Sequence, residues 1–131
     1  MVPESPYFFT YGTLMSSFEN PFSEKLRSNS SFIGRGTFTG KLYRISWYPG
    51  AVFNVLEKTK VYGEIYRLHA QEIWKELDEY EDVLEDENAS LYVRKIIPVT
   101  LESGGEIACW TYLYNQPVEF LEQIKDGIFK S

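Results

Sequence analysis

The chain has 131 residues, 44% of them hydrophobic and 24% charged, with a net charge of −6. That length makes one domain with a core of its own, and the acidic balance disfavours a phosphate backbone as partner. One cysteine, Cys109, excludes an internal disulfide, and no apolar run reaches the roughly 18 residues of a membrane-spanning helix. The unusual figure is the 17% aromatic content, from ten Tyr, nine Phe and three Trp, which favours strands.

In chain order, Tyr7 to Tyr11 is an aromatic strand-like run that stops at Gly12. Gly12 to Met15 follows as a tight turn, and Asn20-Pro21 opens a short helix through Phe22, Lys25 and Leu26. From Phe32 to Arg67 the pattern is repeated strands: Phe32-Ile33, then Lys41 to Ile45, then Ala51 to Leu56, with Gly34, Gly36 and Gly40 between them. Tyr48-Pro49-Gly50 reads as a turn. Val61 to Leu68 alternates with period two, setting Val61, Gly63, Ile65 and Arg67 on one face and Tyr62, Glu64, Tyr66 and Leu68 on the other. Ala70 to Tyr80 is predicted as a helix with Ile73, Trp74, Leu77 and Tyr80 on its apolar face. Glu81 to Asn88 is acidic loop. Leu91 to Leu101 and Glu106 to Tyr114 form a hairpin about Ser103-Gly104-Gly105, and Phe120, Leu121 and Ile124 suggest a short terminal helix. About six strands in hairpin-like order with two or three flanking helices predict an α+β fold. Its sheet is mixed, mostly antiparallel and able to close into a barrel, and residues 1–131 form a single domain.

Common chemistries are not represented. There is no P-loop, and Gly34-Arg35-Gly36 has no helix behind it. The one histidine, His69, sits at a strand–helix junction where helix entry or solvation explains it. One His and one Cys without close spacing give no zinc site, and no cofactor motif is present. Cys109 lies inside a strand and reads as a small buried hydrophobe. The N-terminal residues, with Glu4, lack the basic segment of a signal peptide, so a reducing, cytoplasmic setting is expected. Carboxylates, hydroxyls and backbone amides remain.

Two features can carry chemistry. Tyr11-Gly12-Thr13-Leu14 places a glycine directly after an apolar strand. It is either an ordinary turn or a loop whose successive N–H groups bind a carboxylate. Leu77-Asp78-Glu79-Tyr80-Glu81 ends the helix. Glu81 is either a solvated carboxylate or one whose pKa is raised by the helix C-terminus and by Tyr80 and Trp74, as a general acid/base requires.

Taken together, Tyr11-Gly12-Thr13-Leu14, Asn20, Tyr48-Pro49, Val61-x-Gly63-Glu64-x-Tyr66, Leu77-Asp78-x-x-Glu81 and Tyr92-x-Arg94 resemble the gamma-glutamylcyclotransferase-like (AIG2-like) superfamily, in its gamma-glutamylamine cyclotransferase branch. The resemblance implies a mostly antiparallel barrel, Glu81 as the catalytic carboxylate, and Tyr11, Gly12, Thr13 and Leu14 as the loop binding the glutamyl end. It further implies Tyr92 and Arg94 near the pocket, and no cofactor. Relatives often carry Lys-x-Gly after the loop where this chain has Met15-Ser16-Ser17, which bears on substrate identity more than on reaction class. The reaction implied is release of 5-oxoproline from a small γ-glutamyl substrate, with neither nucleic acid nor membrane as partner. Two other readings fit the same residues: a non-catalytic small-molecule binding module on the same barrel, and a carboxylate-pair hydrolase using Glu64 and Glu81. Tyr11, Tyr48, Tyr66, Tyr80 and Tyr92 are each expected to line a pocket around Glu81.

Overall fold

The computed structural model describes residues 5–12, 15, 21–46, 48–70, 72–80 and 90–130, with the side chains of Glu79 and Tyr80 left aside. Among these residues the chain order is β1 (Tyr7–Thr10), α1 (Pro21–Ser28), β2 (Ser30–Arg44), β3 (Pro49–Phe53), β4 (Lys60–Leu68), α2 (Ile73–Tyr80), β5 (Tyr92–Leu101), β6 (Glu106–Tyr114) and β7 (Glu122–Gln123). Five strands close a barrel in the order β2-β4-β1-β6-β5, and β5 returns to β2 through Gly36↔Leu101 and Thr37↔Thr100. β3 and β7 both pair with the far end of β2, outside this ring. All pairings are antiparallel except β1 with β6. The fold is therefore a mixed barrel with two further strands and two helices, as the sequence pattern predicts in class.

Strand alternation builds two cores from the same residues' neighbours. Phe9, Phe38, Leu42, Val61, Ile65 and Val99 fill the barrel interior. Phe8, Leu26, Tyr66, Trp74, Leu77 and Tyr112 form a second core on its outer face, under the helices. Phe8 and Phe9 are adjacent, point to opposite faces and are both fully buried. Burial of each large apolar side chain contributes about 1.5–3 kcal/mol. The period-two reading of Val61 to Leu68 holds: Val61 and Ile65 are inside, while Tyr66 and Leu68 meet the outer core.

Four expectations differ from the structure, the first being that Pro49 and Gly50, read with Tyr48 as a turn, open β3 and pair with Arg44 and Tyr43. Phe32-Ile33 and Lys41 to Ile45 are not separate strands but parts of the 15-residue β2, with a bulge between Phe32 and Gly34. Its glycines lie within the strand. They sit in the ladder, where Gly36 pairs with Gly63 and Gly40 with Phe53, and a Cβ on Gly40 would lie 2.0 Å from the Val52 carbonyl oxygen. The terminal segment forms β7, not a helix, because Ile124 N–H donates to the Leu42 carbonyl at 2.7 Å and draws the chain onto β2. Lastly, α2 starts at Ile73 rather than Ala70.

The parallel β1–β6 contact has one registered pair, Phe8↔Trp110. Side-chain hydroxyls supply what the short ladder lacks. Ser5 Oγ donates to the Ala108 carbonyl at 2.8 Å, and Thr111 Oγ1 to the Phe9 carbonyl at 2.9 Å. Tyr11 Oη donates to the Tyr112 carbonyl. No helix among the described residues is long and apolar enough to cross a membrane.

Candidate active site

β1 runs into Tyr11 and Gly12 at one end of the barrel. Tyr11 is buried in the interior core, and its hydroxyl joins two strands, donating to the Tyr112 carbonyl and accepting from Ala51 N–H at 3.1 Å. Gly12 passes so close to Pro49 that an added Cβ would lie 3.0 Å from the proline Cγ. Pro49 is also the acceptor for the buried Tyr92 hydroxyl. The Tyr92 ring meets Tyr48 at 6.4 Å and Tyr114 at 5.8 Å between centroids, and a Cβ on Gly50 would lie 2.8 Å from Tyr114. Three segments distant in sequence, at Gly12, Tyr92 and Tyr114, thus converge on the Pro49–Gly50 step, with aromatic rings as the wall.

The Tyr114 phenol is pushed above its ordinary range, first by burial and then by the neighbouring Tyr48. It stays protonated and able to donate at neutral pH. Of the tyrosines expected around Glu81, Tyr48 and Tyr92 stand together in the outer core, whereas Tyr11 lies in the interior core. Tyr66 does not join them: its hydroxyl donates to Glu64 Oε1 at 3.0 Å and its ring packs against Phe32. The Tyr80 side chain, Thr13, Leu14, Asn20 and Glu81 lie outside the described residues.

Arg94 is engaged by protein groups. Its Nε donates to Asp78 Oδ1 at 3.0 Å and its Nη2 to Oδ2 at 3.4 Å. The guanidinium carbon sits 4.4 Å from the Trp74 ring centroid and 4.9 Å from that of Trp110. Tyr112 Oη donates to the same Asp78 Oδ1 at 2.6 Å. Tyr112 consequently links both motifs. Its carbonyl accepts from Tyr11 on the loop side, and its hydroxyl holds Asp78 on the helix side.

Sequence reasoning alone assigned no role to Tyr112, Tyr114, Asp78 or Gly50. A signal was present: Trp110, Tyr112 and Tyr114 recur with period two opposite Ile96, Arg94 and Tyr92, which puts all six on one face of the hairpin.

Other residues singled out are structural here. His69 Nε2 lies 2.8 Å from Ser31 Oγ. Cys109 is fully buried, and burial pushes its thiol up to about 12, so it is no nucleophile at neutral pH. Glu64 is buried on β4 and borders a groove of about 720 Å³ that contains none of Tyr11, Gly12, Tyr92 or Arg94. The groove's Arg35 pairs in register with Glu64, and Glu102 N–H bonds the Arg35 carbonyl. The groove's charged lining is of both signs, Arg35, Lys60 and Lys130 with Glu64 and Glu102.

The family model described as "Gamma-glutamyl cyclotransferase, AIG2-like" matches residues 8–131. The chain belongs to this family. A protein of Methanocaldococcus jannaschii, provisionally named a gamma-glutamylcyclotransferase, is 31% identical over 127 residues, 95% of each chain. Among solved structures, an AIG2-like protein of Mus musculus superposes with a TM-score of 0.75 at 24% identity, over 95% of this chain and 88% of that one. Protein ytfP of Escherichia coli does so with a TM-score of 0.66 at 27% identity, over 94% and 95%. Membership in the gamma-glutamylcyclotransferase, AIG2-like family gives the chain a gamma-glutamylcyclotransferase-like function and a small-molecule ligand. In the frame of this AIG2-like fold, the convergence at Pro49–Gly50 is the candidate active site.

Proposed function

We propose that the protein converts a γ-glutamyl amine or γ-glutamyl amino acid to 5-oxoproline. The α-amine of the glutamyl group attacks its own γ-carbonyl carbon. One C–N bond closes the five-membered ring, and the bond from that carbon to the leaving nitrogen breaks. Glu81 takes one proton from the ammonium to free the attacking amine and a second from that nitrogen as the ring closes, and passes both in turn to the leaving nitrogen, which departs as an ammonium, so protons balance and no water is consumed. Because the nucleophile is tethered, holding the ring-closing pose supplies much of the rate; effective molarities for such reactions reach about 10⁵–10⁸ M. A positioned acid/base adds roughly 10²–10⁴-fold. The amides of Gly12, Thr13 and Leu14 bind the glutamyl carboxylate or the oxyanion, and the wall of Tyr48, Tyr92 and Tyr114 keeps water away from the acyl carbon.

The observation that carries this reading is the tie between the loop strand and the helix that leads to Glu81. Tyr11 and Asp78 are joined through one residue, Tyr112, within a chain whose family match spans residues 8–131. The test is incubation with a panel of γ-glutamyl amines and dipeptides, with 5-oxoproline measured. Release by the native chain and its loss in a folded Glu81→Gln variant support the reading. Ligand binding without turnover, indifferent to Glu81→Gln, would instead make the protein a binding module.

A further inference from the structure

We infer that Arg94 is a positioning residue for the reaction proposed above: lodged in the corner formed by Trp74 and Trp110, it fixes Asp78 and with it the last turn of α2. The chain continues from that turn to Glu81, the third residue after Asp78. The inference rests on the reading of Glu81 as the proton carrier.

α2 is held to the barrel mainly by Ile73, Trp74 and Leu77, all buried. Apolar contacts are non-directional and tolerate rotation or sliding of a two-turn helix. Its first half carries an ionic tie from Lys25 to Glu76, both partners exposed, and such pairs contribute little. The Asp78 contacts are different in kind. Both carboxylate oxygens are engaged by Arg94, and Tyr112 adds a third bond. The forked guanidinium–carboxylate geometry fixes direction as well as distance. Arg94 lies on β5 and Tyr112 faces it across the hairpin on β6, so the donors stand on barrel strands and their positions are not adjustable. The two indoles hold the guanidinium plane. Trp74 Nε1 has no acceptor among the described residues, so this ring serves through its face.

An arginine committed to this carboxylate and to two rings is not presented to a substrate carboxylate. Its effect on turnover is the placement of the helix end, where an error of ~1 Å costs about 10²-fold. Substrate affinity resides with the loop after β1, on the other side of Tyr112, and is spared.

The experiment compares the full-length native chain with Arg94→Lys, Arg94→Gln, Asp78→Asn and the Arg94→Gln/Asp78→Asn pair. Steady-state kinetics use whichever γ-glutamyl substrate releases 5-oxoproline. Expected is a fall in kcat of about 10²-fold for Arg94→Gln and for Asp78→Asn, with KM within about threefold. The pair should be no slower than its slower member. Lysine should rescue only partly, since it keeps the charge but not the planar fork. A large rise in KM with kcat preserved would mean that Arg94 binds substrate, and would overturn the inference.

Hydrogen exchange gives a second readout that needs no turnover. Amides of the last turn of α2 should exchange faster in Arg94→Gln and Asp78→Asn while β4 and β6 keep their protection. Unchanged exchange in α2, or uniform acceleration throughout the chain, overturns the clamp. A native chain that releases no 5-oxoproline defeats the proposed reaction, and exchange still decides the clamp by itself.

Discussion

Tyr92 shows how one hydroxyl can hold a site's frame. It donates to the carbonyl of Pro49, the residue that Gly12 approaches most closely. Tyr92→Phe removes the donor and leaves a buried acceptor. Urea denaturation should register a loss of about 1–3 kcal/mol; an unchanged midpoint would mean that the bond carries no weight. Gly12→Val acts on the same proline from the other side. With 3.0 Å available to a Cβ, the larger side chain must displace Pro49 or the loop, so calorimetry with a γ-glutamyl ligand should show weakened binding. Cys109 gives a pH prediction. Burial pushes its folded thiol up to about 12 from the 9.0 of a free thiol. Between those values the unfolded chain has lost the proton that the folded chain retains. Stability therefore falls as pH rises above 9.0, and the fall should be shallower in Cys109→Ala. Equal slopes in the two proteins would contradict the burial account.

At the scale of elements, α2 is where the sequence is most readable and also where reading stops. The spacing of Ile73, Trp74 and Leu77 predicts a helix with one buried face, and all three are buried. Leu77→Ala should cost about 2–5 kcal/mol in chemical denaturation, while an effect below 1 kcal/mol would mean that the helix does not bear on the outer core. The commitment of Asp78 to Arg94 and Tyr112 could not be read this way, because it depends on β5 and β6 arriving under α2 in one register. β2 misleads for a related reason. Gly34, Gly36 and Gly40 look like breaks in isolation, yet Gly36 and Gly40 leave room for neighbouring strands and Ser30–Arg44 runs unbroken. The terminal segment has apolar spacing suited to a helix, and its pairing with the open edge of β2 prevails.

Across the whole molecule, the barrel's class follows from the count and alternation of strands, but its closure does not. β1 meets β6 in parallel, about a hundred residues along the chain, through one registered pair and three hydroxyl-to-carbonyl bonds. No local pattern announces such a joint; only the family resemblance implied a barrel outright. That joint also carries the loop toward α2, so fold and site share the same few bonds. Of the site residues expected from the sequence, Gly12 and Tyr92 meet Pro49, Tyr11 accepts from Ala51 N–H two residues on, and Arg94 stands by the helix that leads to Glu81. Thr13, Leu14 and Glu81 lie outside the described residues, which makes chemistry the means of testing them. The most direct measurement is 5-oxoproline release from a panel of γ-glutamyl amines and dipeptides, by the native chain and by Glu81→Gln in parallel. The account predicts release by the native chain and none above background by a variant that remains folded. Release at the native rate by Glu81→Gln, or none from any substrate by the native chain, would contradict it.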